Sequence, residues 1–238
     1  IGPTGFPFCT LTGRHRAKNQ RLTHHANVAI HKQRRTIRRT AHTNQLIMST
    51  ATFPSLTNHF LIAMPEMKDP NFFRTVTLIC QHDTDGALGI IINRTFEHLT
   101  IGDILDQFKL PRDSYPPVAK QPVFSGGPVH TELGLVLHET SDDWQSTMAV
   151  GDRLGLTSSR DVLESISNGG GPETCLMALG YAGWGAGQLD QEMQQNAWLS
   201  VAADHRILFD VAPEARWSQA AQQIGIDLTR LARDAGHA

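Results

Sequence analysis

The sequence predicts an α+β fold, one domain with a largely antiparallel sheet, and three observations carry that reading. Short apolar or alternating runs of strand length recur between turn signals, and single helical patterns fall among them without regular βαβα alternation. A stretch of hairpin chemistry, Asp83-Thr84-Asp85-Gly86, joins two of those runs. The charge is divided: residues 1–47 hold nine Lys+Arg and no acid, and the rest holds 12 basic against all 23 acidic residues. The net −2 therefore separates into +9 and −11, and the fold argument belongs to residues 48–238.

Residues 1–47 carry Arg34-Arg35, Arg38-Arg39 and His24-His25 with little apolar periodicity, and the first methionine is Met48. Three readings stand: an over-extended start with Met48 the initiator, a disordered basic arm, or an Arg-rich, acid-poor transit peptide. A secretory signal is excluded for want of an apolar central region.

In the body, His59 to Met64 is a short buried strand closed by Pro65. Arg74 to His82 alternates, with Val76, Leu78 and Cys80 on one face and Thr75, Thr77 and Gln81 on the other. Leu88 to Ile92 is apolar on both faces, as a central strand is. Thr100 opens the first helix, with Asp103 at its third position and Ile101, Ile104, Leu105 and Phe108 as its apolar stripe. Residues 111–121 contain three prolines and form a loop. Pro122 to Phe124 and Leu133 to His138 are strands around the turn Gly126-Gly127-Pro128, and Met148 to Val150 and Leu154 to Thr157 add shorter ones.

Ser159 is read as the cap of a second helix carrying Val162, Leu163 and Ile166 and ending at Gly169 to Gly171. Thr174 to Leu179 is a strand feeding the glycine-rich stretch Gly180 to Glu192, a strand-to-helix corner. Leu189, Met193 and Ala197 then form the stripe of a third helix. Ile207 to Phe209 is read as a last strand. Pro213 starts a fourth helix with Trp217, Ala220, Ala221 and Ile224 on its apolar face.

Six separated segments in order resemble the YqgE/AlgH family: 59–76, 85–94, 124–129, 156–166, 179–199 and the closing 234–238. The likeness covers Phe60 to Ala238 and does not reach residues 1–47. It implies a bifurcated or pseudo-barrel sheet flanked by about four helices. The family is one of unsettled function, some members of which carry the label of transcriptional regulator. It has no established catalytic set to transfer.

Gly183-x-Gly185-x-Gly187 is not the dinucleotide fingerprint, because Gln188 stands where the third glycine belongs. Asp190 and Glu192 in the following turn oppose an anion there. The stretch is a packing corner if Trp184 points inward and a pocket wall if it points outward. Arg94 ends the central strand and Gly126-Gly127 turns the next hairpin. Together with the Trp184–Gln188 loop they are the candidate rim of a ligand site, and Arg160 is a further anion partner unless an internal ion pair takes it.

No catalytic, metal or cofactor set is assigned. Cys80-x-His82 would need a third zinc ligand from His130 or His138, and a nucleophilic Ser158 lacks its usual glycine-flanked elbow. Three scattered cysteines fit a reduced, cytoplasmic setting. The acidic body disfavours nucleic acid, and the apolar run Ala87 to Asn93 is too short for a membrane helix. These features favour a non-catalytic binding or regulatory protein with a protein or small-molecule partner. The alternatives are a DNA-linked regulator, and an enzyme built on Cys80/His82 or Ser158/Arg160.

Overall fold

The computed structural model describes residues 54–110, 117–140 and 144–228, so readings on residues 1–53 and 229–238, and the loop reading over 111–116, lie outside the described part. In chain order come β1 (His59–Ala63), β2 (Val76–Asp83), β3 (Gly86–Ile91), β4 (Thr95–Thr100), α1 (Ile101–Gln107) and a 3-10 turn at Pro117–Lys120. There follow β5 (Pro122–Ser125), β6 (Val129–Glu139), β7 (Thr147–Val150), β8 (Leu154–Thr157) and α2 (Arg160–Ser167). The described chain ends with β9 (Cys175–Gly185), α3 (Gln188–Gln194), β10 (Trp198–Ala202), α4 (His205–Phe209) and α5 (Pro213–Gln222).

The α+β class holds. The sheet runs β10-β1-β2-β3-β9-β6-β8-β7, with β5 against β9 and β4 outside β5. Among the described strands only the β5–β9 pair is parallel. The fork lies in β9. Its first half pairs with β5 and β6, while its second half pairs with β3 through Ala182 to Gly185.

Gly180, at φ +73°, bends the strand between those halves. At the bend β9 passes so close to the β5–β6 turn that a Cβ on Gly126 would stand 2.3 Å from the Gly180 carbonyl oxygen. One on Gly127 would stand 2.2 Å from the Tyr181 carbonyl carbon. Glycine is needed here for backbone approach.

The two-residue hairpin between β2 and β3 forms where its turn chemistry places it, with Asp83 opposite Gly86. Within β2, Cys80 is an extra residue between the Ile79–Gly89 and Gln81–Leu88 pairs. This bulge reverses the alternation beyond it. Cys80 packs with Val76 and Leu78 in the larger core. His82, opposite Ala87, falls on the other face, where Leu61, Ile79, Trp184, Leu189 and Trp198 form a separate cluster.

Several local expectations change. α1 has the capping box read from Thr100 and Asp103, but it ends at Gln107, which leaves Phe108 41% exposed instead of in the stripe. Ser159 precedes α2 without capping it: its hydroxyl accepts from Ser146 N and donates to Asp161, and Asp161 Oδ1 accepts Val162 N.

The glycine-rich stretch is mostly strand, because β9 continues to Gly185; only Gly187, at φ +69°, occupies the corner before α3. α3 stops at Gln194, and Ala197 joins the core from beyond it, ahead of β10. Ile207 to Phe209 is helical, begun by Asp204, whose Oδ1 accepts Ile207 N over 3.0 Å. In α5, Ala220 and Ala221 are buried and the buried face includes Arg216, whereas Ile224 lies beyond the helix end and is exposed.

Candidate functional site

Helix α5 lies over the ends of three neighbouring strands. β1 and β3 flank β2, so their ends stand roughly 9 to 10 Å apart. Consecutive helix residues point roughly 100° apart, which lets Arg216 and Trp217 reach both ends. Trp217 Nε1 donates to Ala63 O at the end of β1 over 2.9 Å. Arg216 Nη1 donates to Ile92 O just past β3 over 2.5 Å, and its Nε donates to Val211 O over 2.9 Å. The Arg216 guanidinium lies 5.1 Å from the Phe124 ring centroid and the residue is 4% exposed.

Between those contacts, Arg74 leads into β2. Its backbone is left-handed at φ +54°, and its exposed guanidinium stacks over Phe73 at 5.2 Å and Trp217 at 5.4 Å. Asn93 fixes the neighbouring backbone, accepting Val76 N and donating to Arg74 O. Arg94 folds back over the loop before β2, donating from Nη1 to Pro70 O and Asn71 O and from Nη2 to Phe73 O.

Three arginines therefore stand at one end of the sheet and share neighbouring residues. Among the described residues none has a carboxylate within the 4.0 Å of an ion pair. Burial pushes the Arg216 pKa down to about 10, partly opposed by Glu214. Burial likewise lowers that of Arg94, with Asp69 opposing. A cation buried among neutral acceptors is a costly arrangement.

Of the expected site residues, the structure brings Arg94, Gly126 and Gly127 together. Ser125 N donates to Arg94 O, Gly126 O accepts Ile91 N, and Gly126 N is already taken by Leu179 O at 2.8 Å. Trp184 and Gln188 form a different unit. Trp184 is 4% exposed, so it points inward, and its Nε1 donates to Glu192. Gln188 accepts Gly185 N and donates to Glu192.

The two units share one segment: Phe72, whose neighbours hold Arg94, packs its ring against Trp184 and Trp198. Arg160 forms the internal alternative, an ion pair with Glu164 at 2.8 Å, under which Phe108 lies. Sequence reasoning missed Arg74, Arg216 and Trp217. The available signal was Arg216 itself, a cation four residues before Ala220 on the apolar face of a helix.

The residues of the enzyme alternative are differently placed. The bulge separates Cys80 from His82, and burial pushes both the Cys80 and the Cys175 thiols up to about 12. His82 Nδ1 accepts Leu56 N over 3.1 Å, which directs its Nε2 toward Asp190, 3.7 Å away. His138 lies elsewhere, between Glu139 O and the Thr157 hydroxyl. His130 is beside Glu132. Among the described residues no three His, Cys, Asp or Glu side chains form a metal-ligand group, and no helix is long and apolar enough to cross a membrane.

A family profile described as AlgH-like matches residues 60–229. The chain is 50% identical over 182 residues to a UPF0301 protein of Methylococcus capsulatus, covering 76% of this chain and 96% of that protein. It is 51% identical over 184 residues to one of Azoarcus, covering 77% and 97% respectively. Among solved structures it is similar to the AlgH protein of Pseudomonas aeruginosa, with 47% identity and a TM-score of 0.62, over 81% of this chain and 100% of that one. A protein of Corynebacterium diphtheriae, 18% identical with a TM-score of 0.58, shares the fold over 76% of this chain and 92% of its own.

Proposed function

The chain belongs to the AlgH-like family, and from that premise we propose that it is a non-catalytic binding protein. It takes a small anionic ligand at the end of strands β1 to β3 and acts as a regulator through the bound and free states of that site. The observation that carries this reading is the buried guanidinium of Arg216, whose two hydrogen-bond acceptors are neutral carbonyls. A ligand that supplies the missing negative charge gains from low local dielectric and from a donor already held in place. A cytoplasmic setting is part of the proposal, supported by Cys80 and Cys175, which are free and buried.

Native mass spectrometry of the full chain purified from its own host tests this reading. A low-mass anion that co-purifies with the wild type and is lost from Arg216→Met supports it. A bound species retained unchanged by that variant overturns it.

A further inference from the structure

We infer that Arg74, Arg94 and Arg216 together bind one phosphate-type oxyanion; this rests on the binding reading above and names its ligand. The unspent donors are specific. Arg216 uses Nε and one Nη1 hydrogen, which leaves Nη2 without an acceptor among the described residues. Arg94 spends its Nη groups on three carbonyls and keeps Nε. Among the described residues Arg74 donates none of its guanidinium hydrogens, and two aromatic faces hold it in place.

The three arise from separate elements: a helix lying over the strand ends, the lead into the middle strand, and the residue pair after β3. Donors supplied by three separate elements suit a tetrahedral oxyanion better than the planar fork of a carboxylate. Shared neighbours connect the three: Asn93, next to Arg94, donates to Arg74 O, the Arg74 guanidinium lies over Trp217, and Arg216, next to Trp217, donates to Ile92 O. Asp69 and Glu214 stand near Arg94 and Arg216 without pairing to them. These acids leave a small positive balance, which fits a compact monoanion or dianion and disfavours a polyanion such as nucleic acid. The depressed pKa of Arg216 agrees, because a bound anion removes the penalty that burial imposes.

Arg216 also has a purely structural reading, as a tie from α5 to Val211 and Ile92, and the test separates the two. The full chain is titrated with inorganic phosphate, phenyl phosphate and succinate, with sodium chloride at matched ionic strength as control. Melting temperature and the Nε–Hε resonance of Arg216 are followed. Millimolar phosphate is expected to raise the melting temperature and move that resonance. Arg216→Met is expected to abolish both responses, and Arg74→Ala to weaken binding about 10-fold. Stronger binding of phenyl phosphate identifies the source as a phosphate monoester; equal binding identifies free phosphate.

A phosphate response equal to that of sodium chloride, or unchanged in Arg216→Met, overturns the inference. If Arg216→Met does not fold, the exposed Arg74→Ala decides, and an unaltered phosphate affinity there overturns it. A response to succinate with none to phosphate overturns the phosphate assignment and leaves the binding reading standing.

Discussion

Trp184 and Trp198 donate their indole N–H groups to the same oxygen, Oε2 of Glu192, each over 2.9 Å. Their rings meet edge to face with centroids 6.1 Å apart. The two tryptophans belong to β9 and β10, and the carboxylate belongs to α3, so one side chain ties a helix to two strands. The sequence alone marks Glu192 as an acid unfavourable to an anion at a helix start. In the structure it is the acceptor that lets two indoles be buried.

Replacing Glu192 by alanine leaves both indole donors in a buried cluster without an acceptor. Each such loss costs about 1–3 kcal/mol, and the half-exposed carboxylate site lets water recover part of it. The expected destabilisation of Glu192→Ala is about 2 kcal/mol, with Glu192→Gln much closer to wild type because its amide oxygen still accepts. Urea unfolding followed by tryptophan fluorescence reads both. Equal stability of the alanine variant and wild type would show that the indoles do not depend on this carboxylate.

At the start of α2 two side chains hold the entry, Ser159 at the cap position and Asp161 in the first turn, and they can be ranked. Asp161 accepts Val162 N, Gln145 N and the Ser159 hydroxyl, whereas Ser159 makes no capping bond. Asp161→Ala is expected to cost about 1–2 kcal/mol and Ser159→Ala about half that, in line with the usual worth of a cap. Thermal melts of the pair check the order, and the reverse order restores Ser159 as the cap.

Much of this chain was legible in residue order, and the failures share physical causes. Thr100 and Asp103 announce α1 because a capping box is local chemistry that packing need not supply. The hairpin at Thr84-Asp85 is likewise local. The bulge at Cys80 is set by how β3 pairs with β2, so the periodicity of β2 alone placed Cys80 and His82 on one face. Ile207 to Phe209 is too short a run for its period to distinguish strand from helix, and Asp204 decides it. Strand β4 has exposed residues on both faces over Thr95 to His98 and so leaves no alternation to read. The arginine site was half legible: Arg94 follows a central strand, but Arg74 and Arg216 acquire meaning only when α5 lies over the strand ends.

Alkaline stability follows from the cysteines. In the fold, burial holds both the Cys80 and Cys175 thiols protonated up to about 12, against an ordinary value of 9.0. The unfolded chain therefore loses these protons first. Their contribution is complete below pH ~9 and declines as pH rises toward ~12, at up to about 1.4 kcal/mol per pH unit for each thiol. Tyr181, also raised by burial and by Glu132, acts in the same direction. Arg216, lowered to about 10, acts in the opposite direction above that pH, which makes the window from ~9 to ~10 the informative one. Urea midpoints are expected to fall across that window and to fall less in the Cys80→Ala/Cys175→Ala variant. The native thiols should also react slowly with a disulfide reagent at neutral pH, and fast native labelling of Cys80 would contradict its burial.

The glycines separate architecture from corner geometry. Gly127 has φ +152°, and a Cβ there would meet the Tyr181 carbonyl carbon at 2.2 Å, backbone that cannot turn aside. Gly187 has φ +69° with nothing within 4 Å of an added Cβ, so alanine there bears only the conformational cost. Gly187→Ala is expected to lose about 1 kcal/mol. Gly127→Ala must push β9 away from the β5–β6 turn, at a cost of about 3 kcal/mol or more. Its effect also reaches the arginine site, because Gly126 O accepts Ile91 N, one residue before the carbonyl that holds Arg216. Gly127→Ala should therefore reduce both stability and phosphate response, whereas Gly187→Ala leaves the phosphate response intact. Unfolding curves and phosphate titrations on the two variants test the pair, and a Gly187→Ala protein that keeps its stability but loses its phosphate response would relocate the site to the corner before α3.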